Sequence, residues 1–233
     1  MGLREFLLLQ KVEFKKASVV LFYMPAMIIY FLIAFIGLGY IDIANLVLGI
    51  PLLFLIIIFE LYNPAKSDWH RIGSIFSAIV FVVIPFGLMN TLFFSHATNG
   101  FQTGILIGLF CIIWTNDIFA YLIGSKFGKN RLFEKHSPKK SWEGSIGGFV
   151  FAILAAYILS LFYNQLSTVN WLVLGAIISV SGTYGDLAES LLKRNAGVKD
   201  SGTLFPGHGG VLDRFDAVLF ATPFVFVYLN LFS

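Results

Sequence analysis

The 233-residue chain is poor in charge and poorer in cysteine: Asp, Glu, Lys and Arg make up 12% of it, and Cys111 is its one thiol. A single cysteine excludes an intrachain disulfide, a C-x-x-C pair and a zinc constellation built on them. Its place inside an apolar run makes it a packing residue. So little charge, set against 58% hydrophobic residues and a mean hydropathy of +0.83, excludes an ordinary soluble globular domain. There is no internal repeat, low-complexity tract or linker, so residues 1–233 read as one integral membrane domain. Two N-terminal signals are missing as well. Phe6 stands where a myristoylation site needs Ser or Thr. The apolar run from Val19 is too long for a removable signal peptide and has no small-residue cleavage site, so it is expected to stay as an anchor.

Apolar length is what the sequence does have. Seven windows approach the roughly 20 helical residues that cross a hydrocarbon core: 19–40, 44–61, 72–94, 102–123, 143–163, 169–186 and 215–232. The expected fold class is therefore all-α, a polytopic bundle of about seven transmembrane helices. The 16 cationic residues fall only at the N-terminus and in alternate loops: Arg4, Lys11, Lys15 and Lys16; Lys66 and Arg71; Lys126, Lys129, Arg131, Lys135, Lys139 and Lys140; Lys193, Arg194, Lys199 and Arg214. Because cytoplasmic loops hold the excess of Lys and Arg, the N-terminus is expected inside and the C-terminus outside. The location implied is the cytoplasmic (inner) membrane, with the polar loops 124–142 and 187–214 facing the cytoplasm. Topology also accounts for the net charge of +3, so membrane lipids are expected partners and nucleic acid is not. In the leader, residues 1–18, Leu7, Leu8, Leu9, Val12 and Phe14 alternate with Arg4, Lys11, Lys15 and Lys16. That pattern fits a helix lying among lipid headgroups, with a disordered leader as the alternative. Asp68 and His70, in a connector broken by Pro64, read as solvated loop residues.

The polar residues are concentrated. Asp186, Glu189 and Lys193 fall at i, i+3 and i+7, one face of a continuing helix, and Asp213 and Asp216 share a face likewise. An unpaired carboxylate near membrane depth costs about 2.5–3.5 kcal/mol, so such acids line a polar cavity or bind a cation. Mg2+ takes one or two carboxylates together with phosphate oxygens and water. Read without further context, Asp186, Asp213 and Asp216 either hold a metal or pair with Lys193, Arg194 and Arg214 in a salt-bridge network. The cations Lys193, Arg194, Lys199 and Arg214 suit a triphosphate or a lipid phosphate, or anchor the chain to anionic headgroups. Ser137-Pro138-Lys139-Lys140-Ser141-Trp142-Glu143-Gly144 stands before the fifth span, where hydroxyls and helix N-terminal amides can hold an anion; alone, Lys139-Lys140 is an ordinary positive-inside flank. Asp117 lies about 9 Å along a helix from the boundary at Gly124, able either to reach that cavity or to bond Asn116 or Tyr121. Gly144, Gly147 and Gly148 form a small-residue face suited to helix packing.

Residues 190–216, Ser-Leu-Leu-Lys-Arg-Asn-Ala-Gly-Val-Lys-Asp-Ser-Gly-Thr-Leu-Phe-Pro-Gly-His-Gly-Gly-Val-Leu-Asp-Arg-Phe-Asp, fill every position of a known signature: Ser190, Lys193, Arg194, Lys199, Asp200, Gly202, Phe205, Pro206, His208, Gly209, Gly210, Asp213, Arg214 and Asp216. Together with Asp186, Glu189 and the 137–144 segment, this half of the chain resembles the phosphatidate cytidylyltransferases, or CDP-diacylglycerol synthases. The resemblance implies that CTP and phosphatidic acid react to give CDP-diacylglycerol and pyrophosphate. It implies Mg2+ at Asp186, Asp213 and Asp216, with a second cation left open, and catalytic roles for Asp186, Lys193, Asp213 and Asp216. Substrate contacts are implied for Asp117, Ser137, Lys139, Lys140, Ser141, Glu143, Arg194, Lys199, Asp200, His208 and Arg214. Ser141 stands where the family usually has Thr and keeps the hydroxyl. His208 is expected to contact phosphate or shape its loop, since a phosphate monoester near pH 7 needs no strong base. The resemblance also implies a homodimer. Two alternatives stand beside it: a CTP-dependent polyprenol kinase, attacking the γ-phosphorus, and an ion transporter. The transporter fits poorly, because the acids gather on one side.

Overall fold

The computed structural model describes residues 1–12, 16–62, 69–95, 100–101, 103–134, 137–204 and 209–232. It is an all-α, multi-pass membrane protein. Six stretches are long and apolar enough to span: Ile43–Leu61, Trp69–Phe93, Thr103–Phe127, Trp142–Phe162, Thr168–Ala196 and Leu212–Phe232. They coincide with six of the seven expected windows, and a shorter apolar helix, Phe22–Gly37, stands in the first.

Residues Met1–Phe101 and Asp200–Asp213 form one compact unit. In it, α1 (Gly2–Leu9) packs on α4 (Trp69–Ala78) and on the π-helical turn Ile79–Val83 that joins α4 to α5 (Ile84–Phe93). Phe6 stacks on Phe81 with ring centroids 5.9 Å apart. Pro85 explains the wide turn: it has no N–H for the carbonyl one turn back, and a π register absorbs the missing bond. Helix α2 (Lys16–Gly37) lies against α5 and α3 (Gly49–Leu61). A 3₁₀ turn, Ile43–Leu48, leads into α3, and Asp42 caps it by accepting from the Ala44 amide at 2.7 Å. Glu60, at the end of α3, is buried and ion-paired with Arg71 on α4. The leader differs from both sequence expectations. It is a helix whose Glu5, Phe6, Leu7 and Leu9 are buried against protein, not laid open to headgroups.

Residues Gln102–Lys199 and Arg214–Ser233 form the second unit. Helices α6 (Thr103–Phe127) and α7 (Trp142–Phe162) are joined through an antiparallel hairpin of β3 (Arg131–Phe133) and β4 (Ser137–Ser141). Their close approach is the one expected from Gly144, Gly147 and Gly148, whose missing side chains leave room for Ala120, Ile123 and Asn116 of α6. Phe119 stacks on Phe151 across the same seam at 3.6 Å. With little hydrophobic drive inside lipid, such packing and buried hydrogen bonds hold helices together. Asn116 accepts from Ser179 Oγ at 2.5 Å, tying α6 to α8 (Thr168–Ala196). Ser167 caps the start of α8, and Gly197 in the left-handed conformation (φ 78°) ends it. This helix runs ten residues past the span expected at 169–186, so Glu189, Lys193 and Arg194 stand on helix, not loop. Helix α9 (Leu212–Phe232) packs on α8 at Gly185, where a Cβ would meet the Asp216 carbonyl oxygen at 2.7 Å and the Ala217 Cα at 3.1 Å.

Candidate functional site

That close approach at Gly185 sets the two acid-bearing helix faces edge to edge. Asp186 and Glu189 on α8 and Asp216 on α9 offer one carboxylate oxygen each, all within 4.8 Å of one another. Glu189 is buried, 8% exposed, and the two aspartates are half-buried. Two lysines brace the group. Lys140 at the end of β4 reaches Asp186 Oδ2 at 2.5 Å and donates to the Thr183 carbonyl at 3.5 Å. Lys193, one turn beyond Glu189, reaches Glu189 Oε2 at 2.6 Å. Ser190 donates to Asp186 Oδ1 at 3.3 Å, and the Ala217 amide donates to Asp216 Oδ1 at 2.7 Å. Asp117, on α6, interacts electrostatically with Lys140 and with Asp186, and its Oδ1 accepts weakly from Asn116 at 3.5 Å.

The hairpin delivers Lys140 and positions the residues around it. Ser141 is 2% exposed and caps α7, its Oγ accepting from the Gly144 amide at 3.2 Å. Glu143 turns back to hold the hairpin's entry, accepting from the Asn130 side chain at 2.8 Å and from its backbone N–H at 3.1 Å. Ser141 and Glu143 therefore build the segment that presents Lys140, while Ser137 is half-buried and Lys139 exposed on β4.

The remaining expected residues lie around the end of α8 and the start of α9. Arg194 makes a long 3.4 Å bond to the Val198 carbonyl, and Lys199 and Asp200 are exposed. Of the three acids expected to bind metal, Asp186 and Asp216 belong to the carboxylate group and Asp213 does not. Asp213 Oδ2 instead accepts from the Ser201 amide and hydroxyl, both at 2.8 Å, and from the Gly210 amide at 2.7 Å. The physical reason is local: at the second residue of α9, its carboxylate bends back onto the loop that enters the helix. His208 lies outside the described residues.

Does the group suit the divalent cation implied by the sequence? Three oxygen-only acids from two helices, with no imidazole or thiol among them, match what a hard cation takes while keeping positions for phosphate oxygens and water. Three carboxylates against two lysines also leave the cluster one charge short of neutral, so the residues fit. Glu189 is the member of this carboxylate group that the expected metal set omits, although its spacing from Asp186 puts both on one helical face. Ser201 carries no signal in the sequence, because its partner Asp213 lies 12 positions further along the chain.

Over 124 residues the chain is 43% identical to the phosphatidate cytidylyltransferase of Thermotoga maritima, covering 51% of this chain and 46% of that protein. The Bacillus subtilis phosphatidate cytidylyltransferase is 46% identical over 123 residues, covering 52% and 46% respectively. The Haemophilus influenzae phosphatidate cytidylyltransferase is 41% identical over 181 residues, covering 73% of this chain and 62% of that protein. The matched part thus spans from about half to three fifths of these relatives' lengths. The profile of the Cytidylyltransferase family matches residues 1–232, and the chain belongs to that family.

Proposed function

We propose that this protein transfers the cytidylyl group of CTP to phosphatidic acid, forming CDP-diacylglycerol and pyrophosphate, at the cytoplasmic face of the inner membrane and as a homodimer. The observation that carries the reading is the group of Asp186, Glu189 and Asp216 braced by Lys140 and Lys193. An oxygen of the lipid phosphate forms the new bond to the α-phosphorus of CTP. The bond from that phosphorus to the bridging oxygen breaks, and pyrophosphate leaves with the electron pair.

Asp186, Glu189 and Asp216 would hold Mg2+, which when bound gathers negative charge at the reacting phosphates. Everything else falls to positioning and fixed charge. Lys140 and Lys193 hold two of the carboxylates in place and present ammonium protons to phosphate oxygens. Arg194, Lys199 and Arg214, near the same helix ends, offer further phosphate contacts, Arg by a bidentate fork. Asp213 ties Ser201 to Gly210, so its contribution is to hold those two residues against the start of α9. No covalent enzyme intermediate is needed, because the lipid phosphate is already an ionised nucleophile near neutral pH.

The test uses two labels. Purified protein given phosphatidic acid, Mg2+ and CTP labelled at the α-phosphorus is expected to produce labelled lipid. CTP labelled at the γ-phosphorus is expected to label only pyrophosphate. Lipid labelled from the γ position would mark a polyprenol-kinase type of reaction instead, and no labelled lipid from either would overturn the enzymatic reading.

A further inference from the structure

Glu5 is an acid in the wrong place for a leader helix that merely lies on a membrane. It is buried, at 9% exposure, on the face of α1 that turns toward protein. Its carboxylate closes a bond network from nearly the opposite end of the chain. Oε1 accepts from the Val211 amide at 3.0 Å; Oε2 accepts from the Leu212 amide at 2.9 Å and lies 3.3 Å from Ser201 Oγ. These amides are the free donors at the start of α9, where a negative charge also meets the positive end of the helix dipole. The Ser201 hydroxyl stands between Glu5 and Asp213 Oδ2, 2.8 Å from the latter. Two glycines make the cradle. A Cβ at Gly202 would meet Glu5 first, at 2.7 Å from Oε1 and 3.0 Å from Cδ, and one at Gly210 would lie 2.6 Å from Oε2.

We infer that Glu5 is a positioning residue for the reaction: it locks residues 201–202 to residues 210–212, at the start of α9, in one arrangement. Asp213 and Asp216 then start from a fixed helix end. The inference rests on the proposed function for its activity readout, and a second readout is independent of it. Glu5→Gln keeps size but turns an NH2 donor toward amide donors, breaking the cap. Gly202→Ala drives the carboxylate out of the cradle, because the side chain can move only by giving up its three partners.

In the purified full-length protein with both substrates saturating, each change is expected to lower kcat by about tenfold or more, the loss that goes with charge-assisted bonds, while the KM for CTP moves less. Arg4→Gln, on the exposed side of the same helix, should leave kcat unchanged. In a Glu5→Ala background, Gly202→Ala should cost nothing further, since the clash partner is gone. Hydrogen exchange of the 209–212 amides, followed by mass spectrometry, should speed up at least about tenfold in Glu5→Gln and not in Arg4→Gln. If the wild type makes no CDP-lipid, the proposed function fails, and the exchange result alone decides this inference. Unchanged exchange overturns it, as does wild-type kcat in Glu5→Gln or additive losses from Glu5→Ala and Gly202→Ala. Should Glu5→Gln not yield folded protein, Gly202→Ala, measured alone and with Glu5→Ala, decides in its place.

Discussion

Replacing Asp216 by Asn should make the metal-free protein more stable and leave it without a response to Mg2+. The three carboxylates present oxygens within 4.8 Å of one another. Two unit charges about 5 Å apart repel by about 3 kcal/mol at an effective dielectric near 20. Asp216 faces such a repulsion from Asp186, while a hydrogen bond with Glu189 and the attraction of Lys193 offset a share of it. With salt screening, a net relief of about 1–3 kcal/mol is expected, enough to raise the unfolding temperature by several degrees. If the acids bind Mg2+ as proposed, wild-type protein should regain from the cation what it loses to repulsion: at a hundredfold excess over the dissociation constant, binding adds about 2.7 kcal/mol. The assay is thermal unfolding in detergent, followed by the fluorescence of the 4 tryptophans, in chelator and across a Mg2+ titration. Asp216→Asn should melt above wild type in chelator, show little upward shift with Mg2+, and have lost its turnover. A metal-free variant less stable than wild type, or one that keeps the full Mg2+ shift, would refute the reasoning.

Lys140→Gln, which removes the 2.5 Å contact to Asp186, should lower kcat/KM for CTP by about ten- to a hundredfold, whereas Lys11→Gln should change it little; steady-state kinetics with CTP varied checks both. Gly185→Ala pushes a methyl into the α9 backbone and should cost about 1–3 kcal/mol while weakening the Mg2+ shift, read in the same melting assay. In a Cys111→Ser background, a cysteine at Ser167 should react with an impermeant maleimide added to intact cells, and one at Lys199 should be protected; outside labelling at 199 would place the carboxylate end of α8 away from cytoplasmic CTP.

Apolar length and helical spacing are legible in the sequence because they are local properties. The windows at 102–123 and 143–163 lie within a few residues of α6 and α7, and the i, i+3 spacing of Asp186 and Glu189 survives because α8 does continue through them. What local spacing hides is where a carboxylate turns. Asp213 and Asp216 share a helix face, yet one joins the acid group and the other bends to three donors in the preceding loop. Glu143 stands in a segment that points to substrate, but a partner 13 residues earlier in the chain takes its oxygens. Glu5 is the least legible, since its partners lie some two hundred residues away and its neighbours in sequence suggest a lipid surface.

Helix α8 serves as a ruler as well as a carrier of acids. From Thr168 to Asp186 the helix rises unbroken through 18 residue steps, about 27 Å at 1.5 Å per residue, close to the roughly 30 Å depth of hydrocarbon. On the proposed function the acid group would then stand at the depth of a phospholipid's own phosphate, where a lipid could be reached without leaving its leaflet. The same rigidity ties chemistry to bilayer thickness. In lipids with longer chains the helix must tilt less, or the bilayer must thin around it, to keep the acids level with the headgroups. Turnover in reconstituted vesicles should therefore peak at the chain length whose hydrocarbon depth matches this segment and fall on either side of it.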